Sequence, residues 1–589
     1  MPGFIARLRD LVKLIEALEE LKKPLAENAP CFRGALACGF TPLHFETLLG
    51  AHLRKRLPGK RVRLDTGLFG DLRGNLERLH KAPIEVLVVI IEWQDLDARL
   101  GIRTLGGWRT TDLPEIVNST AQAIGFLQPS IVEASGFVPV CVSTPTLPLP
   151  PLFMTSPQQA STYELQLREL IASFSSTIAA HPSVRVVSSQ LLDALSPACD
   201  RFDVKSGVQT GFPYKLSHAS SLAELIADIV APSTPKKAII TDLDDTLWGG
   251  ILGEQGPEGI SWSLDQGTHL HGIYQQFLES LASAGILLGV ASKNELELVN
   301  RAFERADLRV SKHNVYPFEV HWSRKSESVR RILQAWNIGT DAVIFLDDSP
   351  MEVAEVQDVF PEMECLVFPK TNYEAFWALL KHLRLAFGKM VINEEDLIRA
   401  NSIRGTIELR RTESSPGSLD DFLKSSAAFV RVEFHRGGRD SRAFELVNKT
   451  NQFNLNGRRW TQAAWSSYFA DPTAFLMTVT YEDKYGPLGK ITAVLGKVDG
   501  KTVKVDSWVM SCRAFSRRIE HQTLKQIFEK FSAEEIVFDY QPTSRNALLR
   551  EFFMDMLGAD PHPGDSLSFA RFSNKSFEIF QRVEEVVNG

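Results

Sequence analysis

The chain has 589 residues, 44% of them hydrophobic and 23% charged, with a formal net charge of −7. That length suits about three to four domains, and the composition is that of a globular protein with apolar material for several cores. The acidic balance argues against nucleic-acid and anionic-membrane partners, and the absence of a run of about 18 apolar residues argues against a membrane span.

At the N-terminus Ile5, Leu8, Val12, Ile15 and Leu18 recur at helical spacing, with Arg7, Lys13 and Glu16 elsewhere. This predicts an amphipathic helix rather than a signal peptide, and hence a cytoplasmic protein. Apolar runs over 84–91 and 138–142 read as buried strands. The first ends at Glu92-Trp93, the second in Ser143-Thr144 and a proline-rich loop through Pro151. Strands alternating with helical patterns predict an α/β domain over 1–232, followed by a linker around Ala231 to Lys237.

A second α/β domain is expected over 233–392. Short apolar runs over 238–240, 286–291 and 342–346 each stop at polar residues: Thr241-Asp242, Ser292-Lys293-Asn294, and Asp347-Asp348-Ser349-Pro350. Between them Leu270, Ile273, Phe277, Leu278 and Leu281 form one helical stripe, with Gly285 placed to end it. Val329, Ile332, Leu333 and Trp336 form another, closing near Gly339. Repeated strand–helix units give a parallel sheet, and ligands gather at the carboxyl ends of its strands. Residues 393–425 read as a charged helical linker. The remaining 426–589 reads as α+β, with strands over 429–434, 475–481 and 490–495 and a helix over 519–531. The six cysteines (Cys31, Cys38, Cys141, Cys199, Cys365, Cys512) form no C-x-x-C pair, so neither a zinc knuckle nor a disulfide framework is signalled.

The chemistry concentrates in the middle domain. Asp242 and Asp244 stand two apart at a strand end, a spacing that places both on one side. Asp242 suits a carboxylate nucleophile and Asp244 a proton donor to the leaving group. A magnesium ion held by Asp242, the main-chain carbonyl of Asp244 and Asp347 would offset the repulsion between the acids, with Asp348 beside it. Ser292 can donate to phosphoryl oxygens, and Lys325 can supply a fixed cation. The pattern is one of magnesium-dependent phosphoryl transfer. His269 and His271 find no third ligand partner and are expected at a helix start or on the surface.

These residues resemble the haloacid dehalogenase (HAD) superfamily. The run D-L-D-D-T-L-W-G-G from Asp242 to Gly250 more narrowly resembles FkbH-type proteins, with Asp245 in place of their usual Asn. Ala291-Ser292-Lys293-Asn294 and Phe345 to Pro350 fit the same subfamily. The stretch from Leu446 to Asn454, and Ser511-Cys512-Arg513 with Glu520, resemble that family's acetyltransferase-like (GNAT) domain. Glu92 to Leu96 resembles its hydrolase-like (SGNH) domain.

The resemblance implies a central Rossmann-like HAD domain flanked by an SGNH-like α/β domain and a GNAT-like α+β domain. It implies an enzyme that dephosphorylates 1,3-bisphosphoglycerate, a phosphorylated three-carbon acid, and loads the glyceryl unit on an acyl carrier protein for polyketide or tetronate biosynthesis. It assigns Thr246, Trp248, Gly249, Gly250, Lys293 and Asn294 to substrate binding.

The chain departs from the family in three places. The strand before Asp242 has no cysteine, which leaves Cys512 as the candidate acyl carrier. Gly39-Phe40-Thr41 stands where a Gly-Asp-Ser nucleophile belongs, so the N-terminal domain is expected to be non-hydrolytic. The pyrophosphate turn of acetyltransferases has lost both glycines in Arg513 to Arg518, leaving Arg517 and Arg518 as candidate phosphopantetheine contacts. A phosphatase acting on another metabolite without thioester transfer, and a carrier-protein-binding scaffold, stay open as alternatives.

Overall fold

The computed structural model describes residues 13–389, except 80–82, 106–108, 152–154 and 157, and residues 423–587, except 425, 439, 451–452, 485, 512–513, 515–516, 544–545 and 576–577. The chain divides into two units, 1–233 and 234–589.

The first unit is a parallel sheet of β1 (Cys31–Cys38), β2 (Arg61–Thr66), β3 (Val86–Ile90), β4 (Val140–Ser143) and β5 (Val184–Val186), in the order β2-β1-β3-β4-β5. Side chains alternate between two cores. Leu36, Val88 and Ile90 pack on one face with the helices Leu43–Arg56 and Leu216–Val230. Ala35, Ala37, Leu87 and Val89 pack on the other with Leu113–Ser135 and Thr162–Ala179. Burial on both faces is why β3 reads as an unbroken apolar run. The N-terminal helix is described only from residue 13, and there Ile15 and Leu18 are exposed while Ala17 is buried.

In the first part of the second unit, β6 (Ala238–Thr241), β7 (Leu287–Ser292), β8 (Val315–Val320), β9 (Val343–Asp347) and β10 (Glu364–Val367) form a doubly wound parallel sheet, ordered β10-β9-β6-β7-β8. Ile239, Leu288, Val290 and Ile344 face the helices His269–Ser283 and Tyr373–Phe387. Ala238, Ile240, Leu287 and Phe345 face Lys325–Trp336 and Pro350–Val359. Gly285, at φ 78°, ends the first of these helices. The stripe through Trp336 closes at Asn337 in the left-handed conformation, two residues before the expected Gly339. Asparagine tolerates that backbone region.

The last part is a mixed sheet of β11 (Phe429–His435), β12 (Phe453–Asn454), β13 (Ala474–Asp483), β14 (Gly486–Asp499), β15 (Thr502–Met510), β16 (Glu535–Phe538), β17 (Ser566–Ser568) and β18 (Arg582–Val587), ordered β17-β16-β15-β14-β13-β11-β18 with β12 on β15. β15 and β16 pair in parallel only over Thr502 to Val505 and Glu535 to Phe538. Beyond that, β12 pairs with Val509 and Met510, and Gln541 N donates to Leu455 O at 3.1 Å. The chain's own segment fills the gap between the diverging strands. Among the described residues, no helix is long and apolar enough to cross a membrane.

Candidate active site

In the middle sheet the chain leaves β6 toward β7 and β8, then returns to place β9 on the other side of β6. The crevice at this reversal is where a parallel sheet binds ligands. Asp242 follows β6 directly and Asp347 ends β9, so the two flank the crevice. One carboxylate oxygen from each of Asp242, Asp347 and Asp348 lies within 4.8 Å of the others. Hard oxygen donors gathered this closely suit a small divalent cation.

Lys325 opens the helix Lys325–Trp336 and is almost fully buried, at 3% exposed. Its Nζ lies 2.6 Å from Asp242 Oδ1 and 2.8 Å from Asp347 Oδ2. Burial pushes the ammonium toward losing its proton, but the two carboxylates outweigh it and hold its pKa above the usual lysine value. Burial and the neighbouring Asp242 push Asp347 up to about 6 against the pull of Lys325. Asp347 Oδ1 also accepts from Ser349 N at 2.9 Å.

Asp244 points elsewhere. Its Oδ1 accepts from Trp248 Nε1 at 2.9 Å and Leu252 N at 3.1 Å, and its Oδ2 from Asn294 Nδ2 at 3.0 Å. Burial raises its pKa above the ordinary carboxylate value, aided by Asp242, although the three donors favour the charged form. A carboxyl group so held can carry a proton and give it up in a fixed direction. Ser292, buried at the end of β7, accepts from Asn294 Nδ2 at 3.3 Å.

The next turn is held by charge and backbone shape. Asp245 adopts φ 51° and Gly250 φ 104°. Asp245 Oδ1 accepts from Gly250 N at 2.9 Å. Lys370 Nζ bridges Asp245 Oδ2 at 2.7 Å and Asp348 Oδ2 at 2.9 Å. Burial would raise Asp245, but Lys370 and the Gly250 N–H hold it below the usual carboxylate range. Lys370 lies 125 residues from Asp245, and no local pattern in the sequence marked it.

Several residues expected to contact substrate are buried or bonded within the protein. Thr246 and Trp248 are fully buried, and Gly249 is buried with its backbone paired to Ser261. Their side chains present no surface, and Trp248 instead anchors Asp244. Gly250 shapes the Asp245 turn. Asn294 holds Asp244 and Ser292, while Lys293 is partly exposed and pairs with Glu352 at 2.7 Å. His269 is exposed as expected, but His271 is buried, with Nδ1 2.9 Å from Thr246 O and its ring stacked on Phe368.

Elsewhere, Arg517 is 1% exposed, lies 3.5 Å from Asp483 Oδ2, and has its guanidinium over the Tyr481 ring. A cation this buried and compensated does not face a phosphopantetheine arm, which corrects that expectation. Arg518 Nη1 donates to Glu578 O at 2.6 Å. Cys512 lies outside the described residues. In the first unit Thr41 Oγ1 donates to Thr210 O at 2.8 Å. Glu92 is buried and accepts from Thr146 Oγ1 at 2.6 Å and Tyr214 Oη at 2.7 Å, as a hub joining β3 and β4 to the helix region beyond.

No protein-family model matches the chain, and no curated protein matches it. Among solved structures, it is similar to the N-terminal part of the protein BF1531 from Bacteroides fragilis, which contains a phosphatase domain complexed with Mg. The identity is 19%, the match covers 64% of this chain and 99% of that one, and the TM-score is 0.49.

Proposed function

We propose that the second unit carries a magnesium-dependent phosphoryl-transfer site. The observation that carries this reading is the buried Lys325 bridging Asp242 and Asp347 at the reversal of the sheet, with Asp348 within reach. Asp242, Asp347, Asp348 and the main-chain carbonyl of Asp244 would hold the ion, which neutralises phosphate oxygens when bound. An Asp242 oxygen attacks phosphorus and the bond to the leaving oxygen breaks. Asp244 delivers its proton to that oxygen. Water then attacks the aspartyl phosphate, Asp244 takes a proton from the water, and phosphate departs with Asp242 restored. Lys325 and Ser292 stabilise charge on the transferring group.

For the substrate, the FkbH-like run from Asp242 to Gly250 supports 1,3-bisphosphoglycerate with an acyl carrier protein as acceptor. A carrier thiol attacks the acyl carbonyl and gives up its proton, the C–S bond forms, and the C–O bond to the 1-phosphate breaks, releasing inorganic phosphate. The remaining phosphate ester is hydrolysed at Asp242, so the products are a glyceryl thioester and two phosphates. A second reading, phosphatase action without thioester formation, is favoured by the described cysteines. None lies on β6, and Cys365 on β10 has its thiol pushed up to about 11 by burial.

The two are separated by incubating the protein with 1,3-bisphosphoglycerate, magnesium and a holo carrier protein, then measuring the carrier's intact mass. A glyceryl adduct upholds the transferase. Phosphate release without an adduct leaves the phosphatase. No magnesium-dependent phosphate release from this or any simple acyl or alkyl phosphate overturns both.

A further inference from the structure

The rule that places Asp242 and Asp347 applies a second time, in the first unit. There the chain runs from β1 to β2 on one side, then crosses to β3 on the other side of β1. The reversal lies between the tips of β1 and β3, and a parallel sheet opens its ligand crevice at such a point. A cleft of about 470 Å³ is found there. Gly39, just past β1, Phe69 to Arg73, past β2, and Gln94 and Asp95, past β3, line it together with Arg103. The volume lies in the range of small-molecule sites.

The local structure keeps this cleft open and polar at its base. A Cβ on Gly39 would stand 1.8 Å from Asp95 Oδ1, so only glycine lets that carboxyl lie against the β1 tip. Asp95 Oδ2 accepts from Glu92 N at 2.8 Å. Two arginines are laid on aromatic rings at the cleft: Arg73 over Phe126, 4.6 Å from the ring centroid, and Arg103 over Phe69 at 5.1 Å. A cation–π contact of this kind holds a guanidinium in place, and its remaining N–H groups can donate to oxygen ligands. Arg73 is shared with Glu77 at 3.3 Å, whereas Arg103 has no carboxylate partner among the described residues.

Most charges at the cleft are paired off within the protein, with Arg73 beside Glu77, which leaves Arg103 as the cation with no carboxylate beside it among the described residues. Asp71 is compensated by Arg78 at 2.8 Å. Burial, against the Glu92 N–H hydrogen bond, pushes Asp95 up to about 7, which lowers the cost of an anion beside it. Phe69, Phe126, Leu72 and Leu127 supply the apolar walls.

Among the described residues the lining carries no serine, cysteine or histidine, and its one side-chain hydroxyl is that of Thr104. The nearby Cys38 is buried behind β1, with its thiol pushed up to about 12. The cleft is built to hold a ligand rather than to cleave one.

We propose that this cleft is a non-catalytic binding site for a small organic anion, a carboxylate or phosphate ester with a short carbon body, gripped by Arg103 and Arg73 and seated on Gln94 and Asp95. The proposal is independent of the phosphoryl-transfer site. Its test is hydrogen exchange by mass spectrometry on the full chain, bearing Asp242→Asn to prevent turnover. The probes are 3-phosphoglycerate, glycerate, inorganic phosphate and neutral glycerol at millimolar concentration.

An organic anion is expected to slow exchange over residues 67–74 and 94–104, and glycerol to leave it unchanged. Protection by inorganic phosphate alone, equal to that by the organic anions, would reduce the site to an adventitious ion and overturn the ligand class. Arg73→Ala with Arg103→Ala should weaken the protection at least about tenfold in concentration. Ala98→Phe, an exposed lining position, should block it by filling the cleft while leaving the basal exchange of β1 and β3 unchanged. No protection by any probe, or protection that survives both changes, would overturn the proposal.

Discussion

Replacing Lys325 by Met tests the electrostatics of the candidate active site in isolation from catalysis. The change keeps most of the stem's volume and removes one charge. In the protein that charge stands 2.6 Å from Asp242 and 2.8 Å from Asp347. At an effective dielectric of about 20, each pair is worth roughly 6 kcal/mol before the cost of desolvating three ions. Removing one partner of such a buried set costs about 3–5 kcal/mol, because two carboxylates are left together without a cation.

Under a chelator, Lys325→Met should therefore lose about that much protection in hydrogen exchange over β6 and β9. A cation that binds the acids should return part of it: about 2.7 kcal/mol at a hundredfold excess over Kd. The decisive reading is the protection of peptides spanning 238–249 and 343–352, with EDTA and then with magnesium. Equal protection of variant and wild type under EDTA would refute the reasoning, since it would mean the two acids need no counter-charge.

Further outcomes follow from the same geometry. Asp242→Asn should abolish phosphate release while the circular dichroism spectrum stays that of the wild type. Trp248→Phe removes the N–H that favours ionised Asp244 while keeping a buried ring. It should raise the Asp244 pKa, move the high-pH limb of the rate profile to higher pH, and lower kcat. An unmoved limb would deny Asp244 the acid role.

In the first unit His218 is buried between Thr146 and Ser196, and burial lowers its pKa to about 3. Since the folded value is depressed below the unfolded one, the unfolded chain takes the proton first as pH falls. Stability of this unit should be full above about pH 6.5 and decline by several kcal/mol toward pH 3. His218→Asn should flatten that decline in urea titrations followed by exchange over β3 and β4.

Much of the middle sheet was legible because its signals are local. Three apolar runs stop at acids or hydroxyls, and burial on both sheet faces forces such runs to be continuous. The helix over 519–531 was readable from its stripe alone and spans Ile519–Phe531. What failed was long-range or a matter of direction. β1 and β2 carry charged or small residues (Arg33 and Gly34, Arg61 and Arg63) that break the apolar pattern. The inward turn of Trp248 toward Asp244 depends on the fold of the whole loop. Lys370 reaches Asp245 and Asp348 from beyond β10, at a distance no motif encodes. Arg517 looked available for phosphate because the sequence does not display Asp483 and Tyr481 packed against it.

The most direct test of the central claim is chemical capture at Asp242. The Asp244→Asn variant, mixed with magnesium and an acyl phosphate and quenched in acid within the first turnovers, should yield a phosphorylated peptide whose modified residue is Asp242. The label should disappear when magnesium is withheld. Phosphate release by the wild type together with a label on any other residue, or with none, would contradict the account.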